Sequence, residues 1–170
     1  MIGDRISINR ETFSAAEVEA ITGVSQTVLR DWRRRKFLTT KSVGNRAIYQ
    51  VYELGYLMAL HALTSQSVAV GTATMAARVA SQMVEHFAEI VSVPPADLPF
   101  VGFHGRPVAR FLIVAHDGEI VRAGDVADWV KERDKEAKAA SGIIIDCKAL
   151  GEQIAAKAPR PVVSVIREGA

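Results

Sequence analysis

The sequence predicts an α+β protein with two short helices and a hairpin at its N-terminus, a long connecting helix, and a small C-terminal α+β domain. Three observations predict this fold class. Helix-capping residues and a glycine divide residues 14–25 into a helix end and a helix start. Apolar residues recur every three or four positions over residues 71–91, as on one face of a helix. Turn signals at Gly44-Asn45 and Asp117-Gly118 separate stretches of strand-forming residues.

The first two helices are predicted from their ends. Ser14-Ala15-Ala16-Glu17 has the form of a capping box, in which Ser14 accepts from the backbone and Glu17 reaches back to it. Gly23 suits the left-handed position that follows a helix, and Ser25 can cap a second one. Two short helices joined by a tight turn that contains glycine are typical of a helix-turn-helix. The second helix has apolar residues at helical spacing: Val24, Val28, Leu29 and Trp32.

A hairpin and two further helices are predicted next. Residues 39–50 have the pattern of an extended hairpin with its tip near Val43-Gly44-Asn45, which would form a wing beside the helix-turn-helix. A third helix is predicted over about residues 52–66 and a fourth, Ala-rich one over about 71–91. The apolar stripe of the fourth helix is long enough for a dimer seam, and it suits packing on the chain's own core equally well. That stripe consists of Met75, Val79, Met83, Phe87 and Ile90.

The C-terminal third has a different pattern. Four of the six prolines fall within residues 93–108, which predicts a linker there. A hairpin around Asp117-Gly118 follows, and Ile143-Ile144-Ile145 has the composition of a buried strand. Helices are predicted over residues 125–139 and 148–157, and a last strand over 162–166. The predicted division is a winged helix-turn-helix domain at 1–66, a connecting or dimerisation helix at 67–92, the linker at 93–108, and a small α+β domain at 109–170 that dimerises or binds an effector or partner.

The charge is distributed unevenly along the chain. Residues 1–66 hold nine Lys and Arg against six Asp and Glu, whereas residues 67–170 hold twelve against thirteen. Seven basic residues and one acidic residue lie within residues 28–50. Such a local excess of positive charge suits a polyanion as partner.

The motifs of residues 12–66, about a third of the chain, resemble the DNA-binding domain of MerR-type regulators. The run Gly23-Val24-Ser25, the segment Leu29-Arg30-Asp31-Trp32 and the apolar pair Phe37-Leu38 carry the resemblance. Arg46 and Tyr49 stand where that family has an Arg and a Tyr in its wing. The resemblance implies a winged helix-turn-helix that binds duplex DNA, regulates transcription, and dimerises through a long helix after the winged domain.

The sequence departs from the family pattern at three positions. Glu19 stands where helix-turn-helix motifs have Ala at the helix crossing, and Lys36 replaces the Gly that ends the second helix. Two residues separate Arg46 from Tyr49 where the family has one, which predicts a bulge in the wing. Excisionase-like phage proteins and some small terminase subunits share this winged unit. The resemblance therefore supports the winged fold more strongly than it supports a role as a transcription regulator.

A recognition helix enters the major groove with its N-terminal residues nearest the bases. With Val28, Leu29 and Trp32 turned inward, Gln26 is placed to pair with adenine and Arg30 with guanine. Phosphate contacts are predicted for Arg33, Arg34, Lys41, Arg46 and the Tyr49 hydroxyl. The alternative is a set of solvated charges on an amphipathic helix, which Arg35 and Lys36 are expected to be. The candidate DNA-binding residues are Ser25, Gln26, Thr27, Arg30, Arg33, Arg34, Lys41, Arg46 and Tyr49.

Other chemistry has weak support in the sequence. His86 and Glu89 have a metal-ligand spacing, but without an evident third ligand an ordinary helical histidine is favoured. Cys147, the only cysteine, is expected to be a buried, inert thiol, and one cysteine excludes metal sensing by several. An effector pocket lined by Phe111, Ile113, Trp129 and Ile144 is conceivable, although an ordinary core suits these residues better. Phosphate-binding Gly-rich loops, nucleophile elbows and paired zinc ligands are absent, so no enzyme, cofactor or metal is predicted.

The leading hypothesis is a dimeric, sequence-specific regulator of transcription that binds double-stranded DNA, with an effector site in the C-terminal domain as a further candidate. One alternative is an architectural, recombination or DNA-packaging recognition protein of phage type. Another is a protein–protein adaptor with a degenerate winged domain. The sequence shows no secretory signal and no stretch long enough to span a bilayer, so a cytoplasmic protein without membrane association is expected.

Overall fold

The computed structural model describes residues 5–102, 107–136 and 141–168. Helices and strands alternate in these residues around three small antiparallel sheets, which confirms the predicted α+β class. The strands are β1 (Arg5–Arg10), β2 (Thr12–Ser14), β3 (Lys41–Val43), β4 (Arg46–Gln50), β5 (Phe111–Ala115), β6 (Ile120–Ala123), β7 (Gly142–Asp146) and β8 (Val163–Glu168). The helices are α1 (Ala15–Thr22), α2 (Gln26–Arg34), α3 (Val51–Ser65), α4 (Val70–Ser92), α5 (Val126–Glu136) and α6 (Cys147–Lys157), with a 3-10 turn at Pro95–Phe100.

The ends of the first two helices follow the predicted signals. The Glu17 carboxylate accepts from the Ser14 backbone N at 2.7 Å, and the Ser14 hydroxyl accepts from the Glu17 N at 3.4 Å, so the capping box is formed. Gly23 has a φ of 76°, the left-handed conformation that suits glycine. Ser25 caps α2 through the Val28 N–H. The helix-turn-helix is therefore confirmed at both of its predicted caps.

The wing is a regular hairpin. Strands β3 and β4 pair from Lys41–Ile48 to Val43–Arg46 without interruption, and Gly44-Asn45 makes the two-residue turn. The prediction of a bulge from the Arg46–Tyr49 spacing is therefore wrong. Strand β2, which the sequence analysis did not predict, pairs with the other side of β4 and joins the wing to the start of α1.

Helix α4 is the central helix of the chain's own core. It packs against α3 on one side and α6 on the other. Both contacts are close: a Cβ added to Gly55 of α3 would lie 2.9 Å from Val84 Cβ, and one added to Gly151 of α6 would lie 2.7 Å from the Ala88 N. Of the predicted dimer stripe, Met83 and Phe87 are buried inside the chain, whereas Met75 is 63% exposed. The C-terminal half of the stripe is therefore part of the chain's own core.

The C-terminal sheet has the strand order β6-β5-β7 and packs on both faces. Asp117-Gly118 lies in the predicted β5–β6 turn, where Gly118 has a φ of 89°. One face of the sheet contributes Ile113 to a small cluster with Trp129 of α5. The other face contributes Leu112 and Ile145 to the main core.

The two ends of the described chain meet in a sheet. Strand β1 pairs antiparallel with β8, from Arg5–Glu168 to Arg10–Val163, a pairing that the sequence analysis did not predict. Arg10 of β1 also forms an ion pair with the buried Glu89 of α4 at 2.6 Å. One hydrophobic cluster contains Phe13 and Leu54 together with Leu112 and Ile154. The predicted segments 1–66 and 109–170 therefore share one core.

Two residues of the predicted linker, Asp97 and Val101, are buried against the rest of the chain. Val101 is 3% exposed, and Asp97, in the 3-10 turn, forms an ion pair with Arg167 of β8. Residues 103–106 of the predicted linker lie outside the described residues, as do residues 137–139 of the helix predicted over 125–139. None of the described helices has the length and apolar character that a membrane crossing requires.

Candidate nucleic-acid interface

Helix α2 presents one buried side and one charged, exposed side. Leu29 is 1% exposed in the core, and Val28 and Trp32 pack partly buried beside it. The opposite side is exposed at each position predicted from the helical spacing: Gln26, Thr27, Arg30, Arg33 and Arg34. The helix thus offers a continuous polar surface about two turns long, the length that a recognition helix uses in a major groove.

The N-terminal end of α2 is tied to α1 by a side-chain contact. The Gln26 side-chain amide donates to a Glu19 carboxylate oxygen at 2.9 Å. Glu19 occupies the position where helix-turn-helix motifs have Ala, and here its side chain bridges the two helices. One turn further on, the Arg30 Nε donates to the Gln26 carbonyl oxygen at 3.3 Å. Both predicted base-reading side chains thus have intramolecular partners in the absence of DNA.

The C-terminal end of α2 holds a cluster of charges around Asp31. Arg34 and Arg35 pair with its two carboxylate oxygens at 2.7 and 2.9 Å. The Arg34 hydrogen bond and the neighbouring Arg35 charge hold the pKa of Asp31 below its usual value. Lys36 follows with a φ of 61°, the left-handed conformation that explains why glycine is usual there.

Tyr49 is much less exposed than the other residues for which phosphate contacts are predicted. Successive residues of a strand point to opposite faces, so the three-residue step from Arg46 places Tyr49 on the other face of β4. Arg46 is exposed, whereas Tyr49 is 1% exposed and lies opposite Phe13 of β2. Burial raises the pKa of the Tyr49 phenol, and the nearby positive charge of Arg33 opposes that shift. Tyr49 lies at the base of the concave surface that Arg33 also lines.

The exposed side of α2 lies between two concave surfaces. One, of about 510 Å³, lies between the start of α1, helix α2 and the wing. The other, of about 460 Å³, lies between α2 and the loop that leads into the wing. Arg30 and Arg33 line both surfaces. The remaining basic residues on them are Arg46 in the first and Arg34 and Lys36 in the second.

We refer to the exposed residues of α2 together with Lys41 and Arg46 of the wing as the basic face. Lys41 and Arg46 lie on the hairpin strands and are exposed. Of the predicted set, Ser25 serves as the α2 cap and Tyr49 lies beneath the face. The other seven predicted residues are exposed: Gln26, Thr27, Arg30, Arg33, Arg34, Lys41 and Arg46.

Arg160 is a residue of this region that the sequence analysis missed. It lies between α6 and β8 and donates to Glu11 and Glu17, at the approach to α1. Its hydrogen bond, together with the capping contacts from Ser14, lowers the pKa of Glu17 to about 2. No pattern in the sequence links position 160 to positions 11–17, because the contact is made only by the tertiary fold.

The other candidate sites have structural explanations. Ile113 and Trp129 of the conceivable effector pocket form part of a small core with Phe111 packed against it, whereas Ile144 is 45% exposed. Cys147 is buried, as predicted, and burial raises the pKa of its thiol to about 12, which disfavours the reactive thiolate. Glu89 is held by Arg10 and by the Gly102 N–H. In the described ranges no group of three or more His, Cys, Asp or Glu side chains could hold a metal ion.

Comparison with known proteins identifies the N-terminal part of the chain. Residues 13–78 match a family model described as MerR HTH family regulatory protein. No curated protein matches the chain. The matched region contains α1, α2, the wing, α3 and the first turns of α4, so it extends beyond the predicted boundary at residue 66. This match indicates DNA binding and transcription regulation as the class of function. The N-terminal part of this chain, residues 13–78, is a MerR-type helix-turn-helix domain.

Proposed function

We propose that the chain is a sequence-specific regulator of transcription that places α2 in the major groove of duplex DNA and its wing against the DNA backbone. The observation that carries this proposal is the basic face itself. Five exposed polar residues of α2 continue into Lys41 and Arg46 of the wing, within a domain of MerR type. A positively charged surface of this shape complements one groove of DNA and the two phosphate chains beside it.

Base recognition is assigned to the N-terminal half of α2. Arg30 carries a guanidinium that pairs bidentately with guanine, and Gln26 an amide that pairs with adenine. Each such pair contributes roughly 1–3 kcal/mol of discrimination against a wrong base. Gln26 must leave Glu19 to do so, and the Glu19 carboxylate then lies near the groove. There the Glu19 carboxylate would repel DNA phosphates or accept a hydrogen bond from a cytosine amino group. Alanine at this position can do neither, so Glu19 adds to the sequence specificity.

Phosphate contacts are assigned to Arg33, Arg34, Lys41 and Arg46, all exposed around the two concave surfaces. Arg33 is the best positioned of these, because it lines both concave surfaces. Arg34 contributes less, because Asp31 already neutralises part of its charge. These contacts set the register on the duplex and carry no direct sequence information.

We further propose that the chain binds DNA as a homodimer. A single winged module buries a small area and binds modestly, whereas two copies read two half-sites. Two-fold symmetry of the protein then requires a palindromic site. The symmetry of the selected sequence therefore reports the oligomeric state.

The test is selection of bound fragments from the source genome by the purified full chain at two salt concentrations. We expect a shared palindromic motif that persists at the higher salt, because base contacts depend less on counterion release than phosphate contacts do. Arg30→Ala should abolish the preference at one position of the motif. Arg122→Ala is the matched control, because Arg122 is an exposed arginine on β6, outside the winged domain.

The outcomes separate the hypotheses. Enrichment that both variants retain would assign recognition to another surface. Clustered or phased sites at one locus, with bending of the DNA, would indicate an architectural or packaging protein. If no fragment is enriched at either salt concentration, DNA binding is wrong and a protein–protein adaptor takes its place.

A further inference from the structure

Arg160 makes an unusually complete set of contacts with the segment that leads into α1. Its Nε donates to Glu11 at 3.0 Å, its Nη1 to Glu17 at 2.7 Å, and its Nη2 to the Thr12 carbonyl oxygen at 2.7 Å. Its guanidinium also lies 5.1 Å from the centre of the Phe13 ring. Every guanidinium nitrogen is thus engaged within the protein. Charge-assisted hydrogen bonds of this kind are about twice as strong as neutral ones.

The residues that Arg160 holds lie where three parts of the winged domain meet. Thr12 and Phe13 belong to β2, which pairs with the wing strand β4. Glu17 belongs to the capping box that starts α1. Arg160 binds the one carboxylate oxygen of Glu17 that Ser14 does not use, so both contacts coexist.

A chain of contacts leads from Arg160 to the basic face. Phe13, beneath the guanidinium, lies opposite Tyr49 in the β2–β4 pair. Tyr49 in turn lines the same concave surface as Arg33 of α2, whose charge acts on its phenol. Phe13 and Tyr49 are each at most 1% exposed, so a displacement of Phe13 is transmitted to Tyr49 through close packing.

We propose that Arg160 is a positioning residue for DNA binding: it holds α1, the wing and Arg33 in their binding geometry from the C-terminal segment, without touching DNA. The proposal rests on the proposed function and deepens it, because it makes DNA affinity depend on the segment between α6 and β8. Any ligand or partner that displaces this segment would weaken DNA binding.

The test compares Arg160→Gln with the wild-type chain on one DNA site over a range of salt concentrations. We expect affinity to fall by about tenfold, in the range of couplings that run through packed networks. The salt dependence should stay unchanged, because Arg160 neutralises no phosphate. Arg110→Gln is the matched control, since Arg110 forms a comparable ion pair at 2.6 Å, but with Asp146, within residues 109–170. It should leave affinity unchanged.

Two further variants separate positioning from a general loss of structure. In a Tyr49→Phe background, Arg160→Gln should have a smaller effect on DNA affinity, because the path to Arg33 is already interrupted. Arg160→Lys keeps the charge but cannot form the three-sided set of contacts, so its affinity should be intermediate. Full additivity of Arg160→Gln and Tyr49→Phe would overturn the proposed path.

The remaining outcomes are distinct. A salt dependence that falls by about one phosphate contact in Arg160→Gln would make Arg160 a direct DNA contact and overturn the proposal. Equal affinity of Arg160→Gln and Arg110→Gln would overturn it as well. If the wild-type chain binds no DNA, the proposed function is wrong. Amide hydrogen exchange then tests separately whether Arg160 holds residues 12–18 in place. Exchange over residues 12–18 should be faster in Arg160→Gln than in Arg110→Gln, and equal rates would refute the role.

Discussion

Single residues of the winged domain carry out tasks that differ from the ones their types suggest. Tyr49, a candidate phosphate ligand in the sequence, is buried at the base of the concave surface that Arg33 also lines. Glu19 bridges α1 and α2 through Gln26. Arg34 and Arg35 both pair with Asp31, so part of the positive charge of the run Arg33-Arg34-Arg35-Lys36 is neutralised within the protein. Local geometry, and not residue type alone, decides which side chains are available to DNA.

Lys36 provides a prediction at this scale. Its φ of 61° is unfavourable for any side chain with a Cβ, so Lys36→Gly should raise the free energy of unfolding by about 0.5–1 kcal/mol. Urea unfolding measures the change. Lys36→Ala is the control, because it removes the same charge without relieving the backbone. A glycine variant no more stable than the alanine variant would contradict the backbone explanation.

Helix α4 is closely approached by two other helices, α3 and α6. Glycines at the crossings make this possible: Gly55 faces Val84, and Gly151 faces the backbone between Val84 and Ala88. Contact with backbone leaves no side chain that could rotate away. The crossing of α6 over α4 therefore depends on the absence of a side chain at position 151.

Gly151→Ala tests this crossing. The added Cβ would lie 2.7 Å from the Ala88 N and the Val84 O, so we expect a loss of about 1–3 kcal/mol in the free energy of unfolding. Gly71→Ala, in the first turn of α4 with nothing within 4 Å of the added Cβ, should instead be neutral or stabilising by up to about 1 kcal/mol. Thermal unfolding of the two variants gives the comparison, and equal effects would show that helix crossing is not the cause.

The elements that the sequence predicts are those with local signals. The capping box at Ser14, the Gly23 break and the turns at Gly44-Asn45 and Asp117-Gly118 involve neighbours in the chain, and each is found as predicted. The alternation of strand residues also determines the side of β4 on which Tyr49 lies, whereas the resemblance to the family does not. Strands β1 and β8 lack local turn partners, since each finds the other across the whole chain.

The residues of the candidate site also divide into those that a local pattern predicts and those that only the tertiary fold brings together. Helical spacing alone identifies the exposed side of α2, because burial of Leu29 fixes the rotation of the helix. Arg160 and its partners are separated by more than 140 positions, so no periodicity relates them. Contacts of this kind depend on how α6 packs on α4, which a single sequence does not encode in any short pattern.

At the scale of the whole molecule, the winged domain and the C-terminal segment are packed as one body. Phe13 and Leu54 share a hydrophobic cluster with Leu112 and Ile154, and β1 is paired with β8. The Arg10–Glu89 and Arg160–Glu17 ion pairs add polar links between distant parts of the chain. Such a core favours a single cooperative unfolding transition.

The two tryptophans test this cooperativity, because Trp32 lies on α2 and Trp129 on α5. In Trp129→Phe and in Trp32→Phe, the fluorescence of the remaining tryptophan should change at the same urea concentration as the far-UV circular dichroism. If Trp129 fluorescence changes at a lower concentration than the dichroism, the C-terminal sheet unfolds separately and the chain has two cooperative units.

The pairing of β1 with β8 has a consequence for the order of events during protein synthesis. Residues 5–10 leave the ribosome long before residues 163–168, so β1 must wait for almost the entire described chain before it can find its partner. Arg160 is also translated after every residue of α1, α2 and the wing. A nascent chain can thus complete α1, α2 and the wing early, whereas the contacts of Arg160 with Glu11 and Glu17 form only at the end. Truncated translation products would leave β1, with its exposed Ile6 and Ile8, as an unpaired strand, which is the kind of edge through which proteins aggregate.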